Sequence, residues 1–176
     1  GIYFHQGDAL IIADLHLGKG VQLQDSGVPL PEQIDDVTID KFKKDLERFT
    51  PEICIICGDL IHAHSKHLPK HLDWFCNQIS HYKTTFILTR GNHDSLKINQ
   101  SLPIFDIVTK YTLNGIHFTH HPGPESPNIH GHIHPGVKLS KGRISKYHKA
   151  FSVDEKRIIC PSYGIHTGTF SKLDPN

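Results

Sequence analysis

The sequence predicts an α/β fold with two β-sheets, and three observations lead there. Predicted strands and helices alternate as far as Val108 and strands alone follow, the order of a mixed domain with a second sheet. Residues 53–57, Ile-Cys-Ile-Ile-Cys, form a short continuous apolar run, the pattern of a strand buried on both faces. The 176 residues are enough for a sizeable core and show no repeat, low-complexity segment or linker, so a single domain over 1–176 is expected.

Residues 3–4 and 8–13 read as the first strands, separated by Gln6-Gly7. Residues 17–31 contain Gly18, Gly20, Gly27, Pro29 and Pro31 and read as a long loop, a kind of segment that is usually functional or mobile. Pro31 is placed to open the first helix, since a first turn does not need its missing N–H. That helix runs to about Phe49, with Val37, Phe42, Leu46 and Phe49 on one side, and Pro51 stops it. After the strand at 53–57 comes a His-rich loop over 60–67. Leu68, Leu72, Phe75, Cys76 and Ile79 then recur at helical spacing, and their stripe reads as core. Residues 84–88 form the next strand, 95–102 a short helix and 104–108 a further strand. Asn114-Gly115 between 111–113 and 116–119 is a hairpin signal, because both residues accept the positive φ of a tight turn. Residues 128–130, 137–139, 146–153 and 157–160 complete the strands, with turns at Lys141-Gly142 and Asp154-Glu155.

Composition narrows the function classes. The net charge of +1 argues against a globally basic nucleic-acid binder but not against a local patch. Lys138, Lys141, Arg143, Lys146 and Lys149 run close together. They read either as a solvated hairpin or as a surface that tracks a nucleic-acid backbone, with only Tyr147 and Phe151 nearby for stacking. No apolar run approaches the roughly 20 residues of a membrane helix, and residues 9–13 are too short for a signal-peptide core. Cys54 and Cys57 form a Cys-x-x-Cys, a spacing also used for zinc and redox chemistry. Residues three apart on a strand point to opposite faces, so they read as small buried residues instead. Cys76 and Cys160 have no partner by spacing, so reduced thiols and a cytoplasmic location are expected.

Sixteen histidines are the strongest compositional signal, clustered at His62/His64, His120/His121 and His130/His132/His134. Five predicted strands end in metal-ligand residue types. Asp14-Leu15-His16 follows 9–13, Gly58-Asp59 follows 53–57, and Gly91-Asn92-His93-Asp94 follows 84–88. His120-His121 follows 116–119, and Gly131-His132-Ile133-His134 follows 128–130. Open α/β sheets place ligands just past the carboxyl ends of their strands. A lone Gly-Asp is commonly a turn cap and a lone His a hydrogen-bonded residue. The full set at five strand ends has no such explanation.

In this order, these motifs resemble those of the calcineurin-like metallophosphoesterases over residues 9–135. A narrower likeness extends to Ala13-Asp-Leu-His-Leu-Gly-Lys19, Gly27 with Pro29 and Pro31, Gly58-Asp-Leu-Ile-His62, Gly131-His-Ile-His-Pro135 and Gly164 with Gly168. It is to the bacterial ligase-associated DNA damage response endonucleases, manganese-dependent phosphodiesterases of that superfamily. The resemblance implies two β-sheets packed face to face with flanking helices, a four-layer α/β/β/α sandwich. It implies two divalent metals, one on Asp14, His16, Asp59 and His134, the other on Asp59, Asn92, His120 and His132, with Asp59 shared. His120 is preferred to His121 because it lies immediately after its strand. The nitrogen and oxygen donors suit manganese, iron, zinc or nickel, and the likeness points to manganese.

The same resemblance gives His93 the task of protonating the leaving oxygen and Asp94 that of fixing its tautomer. Water activated by two cations would attack phosphorus in line. Lys19 and Arg90 lie beside motifs, either to touch phosphate or to serve as surface ion-pair partners; His62 and His64 either line the cleft or stand outside it. The implied activity is phosphodiester hydrolysis by a DNA endonuclease of DNA repair, with a helicase, a nuclease and an ATP-dependent ligase as partners. A phosphomonoesterase and a non-catalytic metal-binding scaffold are the alternatives. Superfamily members acting on phosphoprotein monoesters place an Asp-Arg-Gly after the shared Asp, and His62-Ala63-His64 stands there instead. A preference for diesters is therefore expected, since the missing Arg fork suits a dianion.

Overall fold

The computed structural model describes residues 1–29, 35–62, 68–94 and 102–170. In chain order the elements are β1 (Ile2–Phe4), β2 (Ala9–Ile12), α1 (Lys19–Asp25), α2 (Asp36–Phe49), β3 (Ile53–Ile56), α3 (Leu68–Ile79), β4 (Thr85–Thr89) and β5 (Phe105–Val108). Strands follow: β6 (Tyr111–Leu113), β7 (Ile116–Thr119), β8 (Asn128–His130), β9 (Gly136–Lys141), β10 (Ile144–Lys149), β11 (Ser152–Val153) and β12 (Arg157–Ile159). One sheet has the order β1-β2-β3-β4-β5 and another β11-β12-β8-β7-β6. β2 to β5 run parallel, with β1 antiparallel at the edge. In the second sheet β7, β8 and β12 run parallel between two antiparallel edge strands.

The register explains the apolar runs. Leu10, Cys54 and Phe86 form one cross-strand row, and Ile12, Ile56 and Leu88 another. Both rows pack against Ile39, Phe42 and Leu46 of α2 and Leu72, Phe75 and Ile79 of α3. The intervening row of Ile11, Ile55 and Ile87 faces Phe118 and Ile129 of the second sheet. The first sheet is thus covered on both faces, which is what removes the polar alternation from its strands. The helical layer of the expected sandwich is built here by α2 and α3 over the first sheet. Full burial of Phe42 and Phe75 contributes about 1.5–3 kcal/mol each. Cys54 joins the helix-side cluster and Cys57 the inter-sheet cluster, so the Cys-x-x-Cys is split between faces and holds no common metal. All four cysteines are free and buried, and burial pushes their thiols up.

Several sequence expectations need correction. The long loop contains α1, a short helix that buries only Gly20 and Val21 and so leaves no apolar stripe to read. In α2 the inward face is Thr38, Ile39, Phe42 and Leu46, while Val37 is exposed. That helix ends at Thr50, whose left-handed backbone lets its N–H reach Leu46 O at 2.8 Å, one residue before Pro51. The strand expected over 146–153 is two strands, β10 and β11, in different sheets. The Asn114-Gly115 turn stands as read, with φ of 50° and 78°. The helix expected at 95–102 and the Pro31 start lie essentially outside the described residues. Among the described residues no helix is long and apolar enough to cross a membrane.

Candidate metal centre

Parallel pairing of β2, β3 and β4 brings Asp14, Asp59 and Asn92 to one edge of the first sheet. Parallel pairing of β7 and β8 does the same for His120, His132 and His134 in the second. Backbone bonds stitch the loops: Asp14 N–H donates to Gly58 O and His16 N–H to Asp59 O, both at 3.0 Å. Asp14, His16, Asp59, His132 and His134 all have positive φ, between 48° and 69°, though none is glycine. Such backbone costs on the order of 1–3 kcal/mol per residue and concentrates at functional sites.

Two side-chain sets converge. His134 Nε2 lies 3.2 Å from Asp14 Oδ1 and 3.3 Å from His16 Nε2. His120 Nε2 lies 2.9 Å from Asn92 Oδ1, 3.2 Å from His132 Nδ1 and 3.4 Å from Asp59 Oδ2. Asp59 Oδ2 faces both sets, 3.8 Å from His16 Nε2 on the other side, while Oδ1 accepts the His93 N–H at 2.9 Å. All seven ligand candidates read from the sequence therefore meet in one place. His120 is buried among the carboxylates, its Nδ1 donating to Cys57 O at 3.1 Å. His121 is exposed, its ring 4.2 Å from that of His132.

The donor set fits divalent cations. Asp14 and Asp59 are 0% and 2% exposed, and among the described residues neither is paired with a Lys or Arg. Buried carboxylates need compensating positive charge. Ring nitrogens face one another, so lone pairs converge with too few protons to share between them. Burial, followed by the charges of His134, His62, His93 and Lys19, pushes His16 down to about 2. Burial also lowers His132 and His62. Neutral imidazoles are the form that ligates a metal.

Glycines of these motifs make room for the candidate ligands. A Cβ on Gly91 would lie 2.1 Å from Asp59 Oδ1, and one on Gly131 2.5 Å from Asp14 Oδ2. Neither requirement was read from the sequence, although a Gly beside each ligand motif was its visible sign. Residues 163–170, whose role the sequence left blank beyond the likeness, brace the site: Gly164 N–H donates to Asp14 O at 3.1 Å and Tyr163 N–H to Ala13 O at 2.7 Å.

His93 stands at the edge of the cluster, its Nε2 4.0 Å from Asp59 Oδ2 and its side chain 38% exposed. The role expected of Asp94 needs correction. Its carboxylate accepts from Gly91 N–H at 2.9 Å and Ile61 N–H at 3.2 Å, not from the His93 ring. The His62 carbonyl, 2.5 Å from His93 Nδ1, fixes that tautomer instead, because a carbonyl only accepts. Asp94 is buried, which raises its pKa, and it clamps the 91–94 loop to the turn after β3. The His62 ring stacks on that of His93 at 5.2 Å and puts Nδ1 3.2 Å from His16 Nδ1, so it lines the cluster; His64 lies outside the described residues. Lys19 begins α1, close enough for its charge to bear on His16 and His62. Arg90 is half-buried after β4, its N–H donating to Val108 O at 2.8 Å.

A family model for calcineurin-like phosphoesterases matches residues 8–166. Among solved structures, the chain is similar to the nuclease MPE of Pseudomonas putida, with 25% identity, 99% of this chain and 84% of that one covered, and a TM-score of 0.79. It also shares its fold with Yfce, a phosphoesterase from E. coli, at 19% identity, 91% and 82% coverage and a TM-score of 0.50. No curated protein sequence matches the chain.

Proposed function

The chain belongs to the calcineurin-like phosphoesterases, and from that premise we propose that it is a two-metal phosphodiesterase that cleaves DNA. The observation that carries the reading is the meeting of two ligand sets at Asp59 Oδ2. Asp14, His16, Asp59 and His134 would hold one divalent cation, and Asp59, Asn92, His120 and His132 the other. Manganese is the proposed metal, on the sequence likeness and the mixed carboxylate, amide and imidazole donors. When bound, the pair supplies Lewis-acid activation of water and neutralises charge developing on the phosphate oxygens.

The protein's own groups do the rest. His93 keeps one proton on Nδ1 against the His62 carbonyl, and in its imidazolium form it carries a second on Nε2, the one it would hand to the leaving oxygen. Partial exposure of the ring leaves room for a substrate at that edge. Asp94 acts as a positioning residue through the backbone of Gly91 and Ile61. Lys19, whose charge bears on His16 and His62, is proposed to meet a phosphate oxygen. The similarity to a nuclease supports a nucleic-acid substrate. A place in DNA repair beside a helicase, a nuclease and a ligase is proposed on the sequence likeness alone, and a cytoplasmic location on the free, buried cysteines.

The distinguishing test is kinetic. With manganese near neutral pH, bis-p-nitrophenyl phosphate should be hydrolysed with kcat/KM at least several-fold above that for p-nitrophenyl phosphate. A monoester preference would favour the phosphomonoesterase reading, and no turnover of either ester with any divalent metal would favour the scaffold.

A further inference from the structure

β9 and β10 form a two-stranded ribbon that pairs with neither sheet. Every residue of both strands except Gly136 is exposed. Two-stranded ribbons on their own are marginal in water, so an exposed one calls for another source of order. At its root the order is supplied by the centre itself. β9 begins two residues after His134, Phe170 N–H donates to His134 O at 2.8 Å, and Ala150 N–H to Pro135 O at 3.1 Å. Lys149 donates to the Gly164 carbonyl, which ties the end of β10 to the segment bracing Asp14.

The charge of the ribbon is of one sign. From Pro135 to Val153 there are five Lys or Arg and no Asp or Glu, while the rest of the chain is net acidic. Among the described residues Lys138, Lys141, Arg143 and Lys146 enter no ion pair. The register puts Lys138 beside Tyr147 on one face, with the Lys138 Nζ 5.9 Å from that ring. It puts Lys146 beside Leu139 and Lys141 beside Ile144 on the other. Six-residue strands reach about 20 Å at roughly 3.3 Å per residue. Nucleic-acid charges lie about 3.4 Å apart per strand along a duplex, so that reach spans about six phosphates. The ribbon is long enough, and charged in the right sense, to follow a backbone away from the metal centre.

We propose that the β9–β10 ribbon is a nucleic-acid-binding arm, in which Lys138, Lys141, Arg143 and Lys146 contact the sugar–phosphate backbone of a polynucleotide beside the phosphate being cleaved. The proposal rests on the phosphodiesterase reading and adds the surface that makes the substrate a polymer. A small diester reaches the centre without touching the arm.

The test replaces the three lysines with Thr, which keeps strand propensity, and Arg143 with Ser. The probe is a fluorescent phosphorothioate DNA that resists cleavage, bound to metal-loaded protein between about 50 and 200 mM salt. Four lost phosphate contacts should lower the slope of log K against log salt by about 3, at roughly 0.7–0.9 per contact. Affinity at the lowest salt should fall at least tenfold, while kcat/KM on bis-p-nitrophenyl phosphate stays within about twofold. Lys138→Thr/Lys141→Thr and Arg143→Ser/Lys146→Thr pairs should each remove about half of the slope, which decides the matter if the fourfold variant does not fold. Unchanged affinity and slope would overturn the proposal and leave the exposed apolar side chains of the ribbon as a surface for a protein. Equal loss of DNA binding and small-diester turnover would also overturn it, since the ribbon would then be propping the centre. Failure of the wild-type protein to cleave any diester defeats the phosphodiesterase reading separately, and the salt slopes still decide the arm.

Discussion

Gly91→Ala should disable the centre. The added Cβ would sit 2.1 Å from Asp59 Oδ1 and 2.4 Å from the Asp59 backbone nitrogen, where real contacts are essentially never under 3.0 Å. Something must move by about 1 Å, and the backbone nitrogen belongs to a loop already held by parallel strands. Overpacking of this kind costs about 1–3 kcal/mol. Misplacement of a reacting group by about 1 Å costs on the order of 10²-fold in rate. The His93 N–H bond to Asp59 Oδ1 is strained by the same shift. Hydrolysis of bis-p-nitrophenyl phosphate at saturating manganese should therefore fall by about 10², with a lower Tm. Gly168→Ala is the matched control, because a Cβ there meets nothing within 4 Å. It should change stability by no more than about 0.5 kcal/mol. Wild-type turnover and Tm in Gly91→Ala would refute the claim that this glycine exists to admit the Asp59 carboxylate.

His93→Ala should keep both metals and slow diester cleavage by about 10²–10⁴, with a smaller loss for leaving groups that need little protonation. Equal losses on activated and unactivated diesters would count against a proton donor. Asp94→Ala should leave the Gly91 and Ile61 N–H groups without their acceptor, costing about 1–3 kcal/mol for each. Thermal unfolding would register a fall of several degrees, about 2–4 °C per kcal/mol for a chain this size; an unchanged Tm would contradict the clamp. His62→Ala keeps the carbonyl that orients His93 and removes only the ring, so its rate loss should be smaller than that of His93→Ala. A larger loss would assign the His62 ring a direct part.

Much of this site was legible because each candidate ligand follows a strand, and strands with two buried faces are the plainest pattern in the sequence. Asp14, Asp59 and Asn92 could be placed on one edge as soon as the runs before them read as strands of an open α/β sheet, whose ligands lie past the carboxyl ends. What the chain could not reveal was contact between loops distant in sequence. The acceptor for His93 is a main-chain carbonyl, and a carbonyl leaves no mark on residue identity. Asp94 looked like the partner of His93 because it is adjacent, yet its carboxylate turns to backbone N–H groups. In the fold, α1 escaped because it buries too little to show a stripe, and β10 merged with β11 because exposed residues carry no alternation.

In the proposed centre two cations share Asp59. Equilibrium dialysis of the stripped protein against manganese, followed by metal analysis, tests it most directly in wild type and in Asp59→Asn. Two metals should bind per wild-type chain, and Asp59→Asn should bind both more weakly and lose diester hydrolysis, since the one oxygen facing both sets gives up its charge. A single metal in the wild-type protein, or two at undiminished affinity with activity kept in Asp59→Asn, would contradict it.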